Sequence, residues 1–217
     1  MAIILDIETV AIAGAAALVE PVSAPANYKD AAKIAAYIEE AQQAQIAKAA
    51  LYPWTAKIAA LGYILDSGAE VVALCKDEQD ESDALRTFWA HVYRDDERFV
   101  RPIVGFNHRS FDLPVLLARS ILLGIKAPAL NLDRYRTPHT DVMDKLTWFG
   151  AIPARSLKWY AKRFGLTVED EISGKDIGAL VASGEWEAVA SHCLSDVRLT
   201  KALAERVGVI RGGLVAA

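Results

Sequence analysis

Two carboxylates stand two residues apart near the start of the chain, Asp6 and Glu8 in the apolar segment IILDIET. In a β-strand, residues i and i+2 project from the same side, so the two acids share one face while the alternating aliphatic residues pack into a core. Two anions at this spacing repel each other unless a cation lies between them. The pair is therefore a candidate half of a metal site, and an ordinary strand end with two solvated acids is the alternative.

A third acid, Asp112, ends the segment NHRSFD, which lies between a predicted strand at 101–106 and a predicted helix at 113–123. A carboxylate is stabilised at this position because the N-terminal end of a helix carries partial positive charge. Asp112 can therefore serve a site at the edge of the sheet. The alternative is that Asp112 only caps the helix and that Phe111 belongs to the core.

His192 and Asp196 stand four residues apart in a predicted helix at 185–207. This spacing places both side chains on one face of the helix, where they can act on one site. An exposed histidine–aspartate pair that only stabilises the helix, by about 0.2–0.5 kcal/mol, is the alternative.

Taken in order, the patterns DxE, NxxxFD and HxxxD resemble the DEDD superfamily of 3'-5' exonucleases, in the branch related to the proofreading domain of family B DNA polymerases. The resemblance extends over nearly the whole chain, and the segments at 24–30 and 139–144 look like stretches of small stand-alone members. The residues that match the four acidic positions of the family are Asp6, Glu8, Asp112 and Asp196, and those that match the other fixed positions of the second motif are Asn107 and Phe111.

The resemblance implies a metal-dependent enzyme that releases nucleoside 5'-monophosphates from the 3' end of single-stranded DNA, or of RNA. Two divalent ions, Mg²⁺ or Mn²⁺, suit an all-oxygen ligand set and can support phosphodiester hydrolysis together. Asp6 would bridge the ions, Glu8 and Asp196 would complete the first site, and Asp112 would hold the second ion largely through water.

The resemblance also implies contacts with the substrate. Glu8 and the backbone at Thr9 and Val10 would lie near the terminal 3'-hydroxyl. Phe111 would pack against a terminal base or sugar, and Asn107 would hydrogen-bond to the strand.

His192 departs from the pattern of this branch, which has a tyrosine four residues before its last aspartate. An imidazole titrates near neutrality and can accept a proton from water, so His192 is a candidate general base. Imidazole is also shorter than phenol, and the alternative is that it fails to reach the water and leaves activation to the metal. The role of His192 is open at this stage.

Hydrophobic patterns and turn residues predict the elements that position these side chains. After the first strand come a helical pattern at about 29–51, a hairpin with strands at 58–65 and 70–74, and an amphipathic helix beginning at Ala84 after an acidic run at 77–83 that we interpret as a solvated loop with a helix cap. Further helices are predicted at 156–164 and 177–183. The order predicts an α/β fold with a mixed sheet flanked by helices. The resemblance makes this a ribonuclease H-like sheet of five strands, the first three antiparallel and the others parallel, with an inserted helical arm.

Composition limits the class of protein. The chain has 217 residues with 53% hydrophobic and 24% charged residues, and it fits a single domain at 1–217, with an insertion at about 26–51 and a tail at about 209–217. The net charge of −4 excludes a uniformly basic nucleic-acid-coating protein. Two distant cysteines and the lack of an apolar run of roughly 20 residues predict a reduced, cytoplasmic protein that is not embedded in a membrane.

Several interpretations remain open from sequence alone. The first is an active exonuclease, on DNA or on RNA. The second is a catalytically impaired nucleic-acid-binding or polymerase-accessory module, and the third is an endonuclease with the same sheet. The helical arm at about 26–51 could cover the site, clamp a nucleic-acid strand or form a homodimer contact. The sequence does not identify a replication or repair partner. The helix at 156–164 either carries a phosphate-tracking groove with Lys158 and Trp159 or buries Trp159 and exposes its lysines. Asp141 and Asp144 are interpreted as a helix cap and a solvated acid.

Overall fold

A computed structural model describes residues 2–94 and 99–210 of the protein. The end of the predicted tail, 211–217, lies outside the described residues. Among the helices within the described ranges, none is long and apolar enough to cross a membrane.

A helical insertion follows the first strand, and in the described part of the chain α4 to α7 follow the last strand. The strands are β1 (Ile3–Ala11), β2 (Ala56–Ile64), β3 (Glu70–Leu74), β4 (Tyr93–Arg94), β5 (Phe99–Val100), β6 (Ile103–Gly105) and β7 (Thr140–Asp141). The helices are α1 (Ala31–Ala47), α2 (Glu78–Val92), α3 (Asp112–Leu122), α4 (Val142–Leu146), α5 (Leu157–Arg163), α6 (Ile177–Ser183) and α7 (Trp186–Arg206). Short 3-10 turns lie at Ala15–Ala17 and Ala49–Leu51.

Five strands form one mixed sheet in the order β3-β2-β1-β6-β7. The first three are antiparallel neighbours, and β6 and β7 add to the edge of β1 in parallel. This confirms the predicted fold class. β1 is the central strand, and its C-terminal half pairs with β2 and extends beyond Ile3 and Ile4, the residues that pair with β6.

The alternation of residues in β1 separates two cores. Ile3, Leu5 and Ile7 are buried on one face, in a cluster shared with α2 and α3. Ile4, on the other face, packs with α5 and α7, as does Val104 of β6. The period of two predicted for this segment is therefore confirmed, and it directs Asp6 and Glu8 toward the side of the sheet that α7 covers.

The helical insertion contributes no buried residue from α1, all of which the structure describes. Asp30 caps the start of α1 by accepting hydrogen bonds from two backbone amides. The insertion returns through the turn Ala49–Leu51, where the Thr9 hydroxyl donates to the Ala50 carbonyl oxygen at 2.7 Å. The predicted helix is confirmed, with its α-helical part ending at Ala47 rather than at about residue 51.

The acidic run at 77–83 is part of a helix, and its interpretation as a solvated loop is wrong. Asp77 caps α2, which begins at Glu78 rather than Ala84. Glu81 is buried and accepts two hydrogen bonds from the Arg119 guanidinium, each 2.8 Å, and one from the Ile58 amide at 3.0 Å. The run therefore fixes α2 against α3 and the sheet.

Candidate active site

Asp6, Glu8 and Asp112 meet on the central strand of the sheet. Asp6 and Glu8 lie in β1, whose register with β2 shifts between Glu8 and Thr9. Asp112 is the first residue of α3, and its Oδ1 accepts a hydrogen bond from the Ile7 amide at 3.1 Å. Since Ile7 lies between the two acids of β1, this contact holds the Asp112 carboxylate beside them.

The turn between β6 and α3 delivers Asp112 to this position. A side chain on Gly105 would come within 2.5 Å of the His108 Cβ, so the close turn requires glycine there. Asn107 adopts a left-handed backbone with φ of 60°, a conformation that asparagine tolerates better than most residues. The carboxylate of Asp141 ties the turn by accepting hydrogen bonds from the Asn107 amide at 2.8 Å and the Arg109 amide at 3.2 Å.

Helix α7 brings the last two predicted residues to the same place. It packs directly on β1 and β2 because Gly62 leaves room for Cys193, whose Sγ donates to the Asp6 carbonyl oxygen at 3.6 Å. His192 and Asp196 project from the adjoining turns of this helix. Ligand atoms of Glu8, His192 and Asp196 all lie within 4.8 Å of one another.

Desolvation raises the pKa values of all four acids. Burial, and then the charges of neighbouring carboxylates that include Asp196 and Asp112, raise the pKa of Glu8 to about 8. Burial also raises the pKa of Asp112 to about 7. The pKa of Asp6 lies well above its usual value because of desolvation and then because of the charges of Asp112, Glu8 and Asp196. Burial raises the pKa of Asp196, although His192 and Lys158 oppose this shift.

This arrangement fits a divalent cation. Oxygen-rich sites of this kind suit Mg²⁺ or Mn²⁺. Within the described part of the chain, the buried Oδ1 atom of Asp196 has no hydrogen-bond partner. An unsatisfied buried oxygen is costly, and clustered carboxylates repel, so a cation among them would relieve both costs.

Asp170, in the loop before α6, also reaches the site, where it contacts His192 and Lys158 of α5, and the sequence patterns did not reveal it. The Nδ1 atom of His192 lies 3.1 Å from Oδ1 of Asp170, and Lys158 donates to the same Oδ1 at 2.6 Å. The Lys158 ammonium also donates to the carbonyl oxygens of Asp170, at 3.0 Å, and Ile172. Burial raises the pKa of Asp170, but the hydrogen bonds from Lys158 and His192 outweigh it and lower the pKa below its usual value. Asp170 lies in an irregular loop without periodic spacing, so no signal in the sequence connects it to His192.

The predicted substrate contacts lie around this cluster. Thr9 and Val10 follow Glu8 in β1, and both are buried. Phe111 precedes Asp112 and packs partly against the core, and Asn107 lies in the turn that leads to it. The structure thus gathers these residues beside the acids, and their contact with a substrate stays a prediction.

The structure corrects the environments that the sequence predicted for Asp144, Trp159 and Lys158. Asp141 does cap α4 through the Met143 amide, as expected, but Asp144 is buried rather than solvated, with hydrogen bonds from Arg109 and Arg134. The α5 helix does not bury Trp159, which is 48% exposed. It also does not present a free Lys158, since that ammonium is bound to the loop at Asp170.

Comparisons with known proteins identify the family and the fold of the chain. A family model described as a predicted 3'-5' exonuclease related to the exonuclease domain of PolB matches residues 52–217, a range that includes Asp112, His192 and Asp196. None of the curated proteins matches the chain significantly.

Among solved structures, the family B DNA polymerase from the hyperthermophilic archaeon Pyrobaculum calidifontis is similar, with a TM-score of 0.57 and 23% sequence identity over 72% of this chain. The match covers 22% of the polymerase, so the chain corresponds to a small part of that protein. At this identity the similarity concerns the fold.

Proposed function

Because the chain belongs to the family of predicted 3'-5' exonucleases related to the exonuclease domain of PolB, we propose that it uses divalent cations to hydrolyse phosphodiester bonds at the 3' end of single-stranded nucleic acid. The products would be nucleoside 5'-monophosphates, and DNA is the favoured substrate. The observation that carries this proposal is the convergence of Asp6, Glu8, Asp112 and Asp196, from three separate elements, at one point on the central strand.

The four acids would hold two ions, Mg²⁺ or Mn²⁺, and Asp6 would contribute to both. When bound, such ions polarise the scissile phosphate, activate a water molecule and stabilise the leaving oxygen. The protein supplies fixed positions for the ligands. Asp112 is oriented by the Ile7 amide, and Asp6 and Asp196 are held together because α7 packs against β1 through Cys193. Such rigid placement matters because catalysis depends on the alignment of the reacting groups.

The end of the substrate strand would approach the site past the C-terminal end of β1. Thr9 and Val10 lie beside Glu8 there, and Phe111 and Asn107 flank Asp112. We propose that these four residues receive the terminal nucleotide. We also propose that residues 1–217 act as a single exonuclease domain, with α1 as an insertion whose base is anchored to Thr9 and therefore lies close to the site.

A nuclease assay tests this proposal directly. The purified protein is incubated with 5'-labelled single-stranded DNA or RNA in the presence of Mg²⁺, Mn²⁺ or a chelator. We expect a ladder of products that shorten from the 3' end, only with a metal ion, and its loss in Asp6→Ala. Glu187→Gln is a matched control, since Glu187 is an exposed acid on the same helix as Asp196, and its activity should equal that of the unchanged protein.

The same assay discriminates between the alternatives. Equal degradation by the protein and by Asp6→Ala, or none with any metal, contradicts the proposed reaction, and nucleic-acid binding without degradation would favour an impaired binding module. Preference for RNA would identify an exoribonuclease. Cleavage of a circular single strand, which has no end, would identify an endonuclease.

A further inference from the structure

The geometry points to His192 as a direct metal ligand through its Nε2 atom, with Asp170 as the residue that positions its ring. This inference rests on the proposed function, because it concerns the same metal site. It makes the site one of mixed nitrogen and oxygen ligands, formed by Glu8, His192 and Asp196. The class of ligand is a divalent first-row transition ion, for which Mn²⁺ is the probe.

The distances around Nε2 suit a shared ion better than direct hydrogen bonds. Nε2 lies 3.3 Å from Oε1 of Glu8 and 3.9 Å from Oδ2 of Asp196. Nitrogen–oxygen hydrogen bonds in proteins are usually about 2.7–3.2 Å long. Two ligand atoms that each lie about 2.0–2.2 Å from one ion are separated by no more than roughly 4.4 Å, so both pairs fall within the span of a single ion.

The other nitrogen of the ring is already held. Nδ1 lies 3.1 Å and 3.2 Å from the two carboxylate oxygens of Asp170. Asp170 forms an ion pair with Lys158, so it is an acceptor and takes the Nδ1 proton as a hydrogen bond. Nε2 then carries the lone pair and faces Glu8 and Asp196. A carboxylate that holds the far nitrogen of a metal-binding histidine is the usual arrangement at protein metal sites.

Burial holds the His192 ring in this orientation. His192 is 2% exposed, so its ring does not turn freely into solvent. The Oδ1 atom of Asp196 is buried and has no hydrogen-bond partner within the described residues. Because imidazole nitrogen favours transition ions over Mg²⁺, the site should bind Mn²⁺ more tightly than a set of carboxylates alone would.

Pulsed electron paramagnetic resonance of bound Mn²⁺ tests the inference without a nuclease assay. The protein as purified should show coupling of Mn²⁺ to a directly bound nitrogen, and growth with ¹⁵N-labelled histidine should change that signal. In His192→Asn the amide retains a donor near the place of Nδ1 and lacks Nε2, so the coupling should disappear. Its Mn²⁺ affinity should fall about 10-fold or more, whereas Mg²⁺ affinity should change by less than about 3-fold.

Asp170→Asn tests the positioning role. We expect Mn²⁺ affinity to fall about 10–100-fold, as for other residues that orient a metal-bound histidine, with a weaker nitrogen coupling. Glu169→Gln is the matched control, because this neighbouring acid instead pairs with Arg198 at 3.2 Å on the surface. Thermal denaturation of each variant in chelator verifies that it folds. If a variant does not fold, the nitrogen coupling of the unsubstituted protein labelled with ¹⁵N-histidine still tests the inference.

The possible results separate this inference from the proposed function. Tight Mn²⁺ binding that requires Asp6 but shows no nitrogen coupling overturns the role of His192 and leaves the four-acid site in place. Unchanged Mn²⁺ affinity in both His192→Asn and Asp170→Asn would do the same. A protein that binds no Mn²⁺ contradicts the metal site as a whole.

Discussion

Replacing Glu8 with glutamine should change how the stability of the metal-free protein depends on pH. Burial, together with the charges of Asp196 and Asp112, raises the pKa of Glu8 from 4.5 to about 8 in the folded protein. In the unfolded chain the same group keeps its ordinary pKa. The folded state therefore retains a proton on Glu8 over a range of pH in which the unfolded chain has lost it.

The sign and size of the effect follow from this difference. A carboxyl group with a raised folded-state pKa contributes stability that is fully present below the unfolded value and lost as the pH rises through the folded value. Between these limits the folded state binds one more proton than the unfolded state. The free energy of unfolding should then fall by about 1.4 kcal/mol for each pH unit because of this one group. Glutamine is neutral throughout, so Glu8→Gln should lack this slope.

Urea denaturation in chelator, from pH 5 to pH 8, measures the effect. We expect Glu8→Gln to lose stability less steeply than the unsubstituted protein and to be the more stable of the two at pH 8. Adding Mn²⁺ at pH 8 should reverse their order, since the cation favours the ionised Glu8. Glu187→Gln, an exposed substitution on α7, should follow the unsubstituted protein. Parallel curves for Glu8→Gln and the unsubstituted protein in chelator would refute the reasoning.

Three further substitutions test the scaffold of the site. Glu81→Gln leaves a buried arginine unpaired and should lower the free energy of unfolding by about 3–5 kcal/mol in urea denaturation. Glu70→Gln, at an exposed ion pair, should lower it by less than about 1 kcal/mol. Similar losses of stability in the two variants would contradict this prediction. Gly62→Ala places a Cβ 2.7 Å from Sγ of Cys193 and should cost about 1–3 kcal/mol, and Cys193→Ala in the same chain should restore part of the loss. Asp141→Ala removes the acceptor for the turn before α3 and should cost about 3 kcal/mol of stability and reduce nuclease activity. A variant that loses stability but keeps full activity when folded would show that the turn does not position the site.

The sequence predicted the elements that have strong periodicity. β1 follows an alternating pattern, the β2–β3 hairpin consists of two apolar segments joined by turn residues at 66–68, and α3 and α7 follow helical patterns, so the fold class could be predicted. The two-residue strands β4, β5 and β7 have no period to detect, and their pairing depends on contacts between distant parts of the chain. The start of α2 was missed because an acidic segment indicates exposure, whereas Glu81 is buried by its pairing with Arg119.

Predicting the site depended on a different kind of information. Asp6, Glu8, Asp112 and Asp196 were singled out because their order along the chain and the segments around them resemble the motifs of a known exonuclease superfamily. The structure places the four residues together. Charge alone was a poor guide elsewhere. Asp144 is as polar as any of the four and is buried in a cluster with Arg109 and Arg134, a placement that becomes apparent only when the chain is folded.

Asp170 shows why the role of His192 could not be decided from the sequence. The same imidazole can act as a base, a charged donor or a metal ligand, and the choice depends on what holds its two nitrogens. One nitrogen faces Glu8, which the motif predicted, and the other faces Asp170, which no motif contains. Lys158 lies in a helix whose lysines suggested phosphate binding. Its ammonium instead donates a hydrogen bond to Asp170 and so helps to hold that carboxylate beside His192. We therefore propose that residues outside the motif set the chemistry of His192, and a substitution at Asp170 should alter Mn²⁺ binding while all four acids remain unchanged.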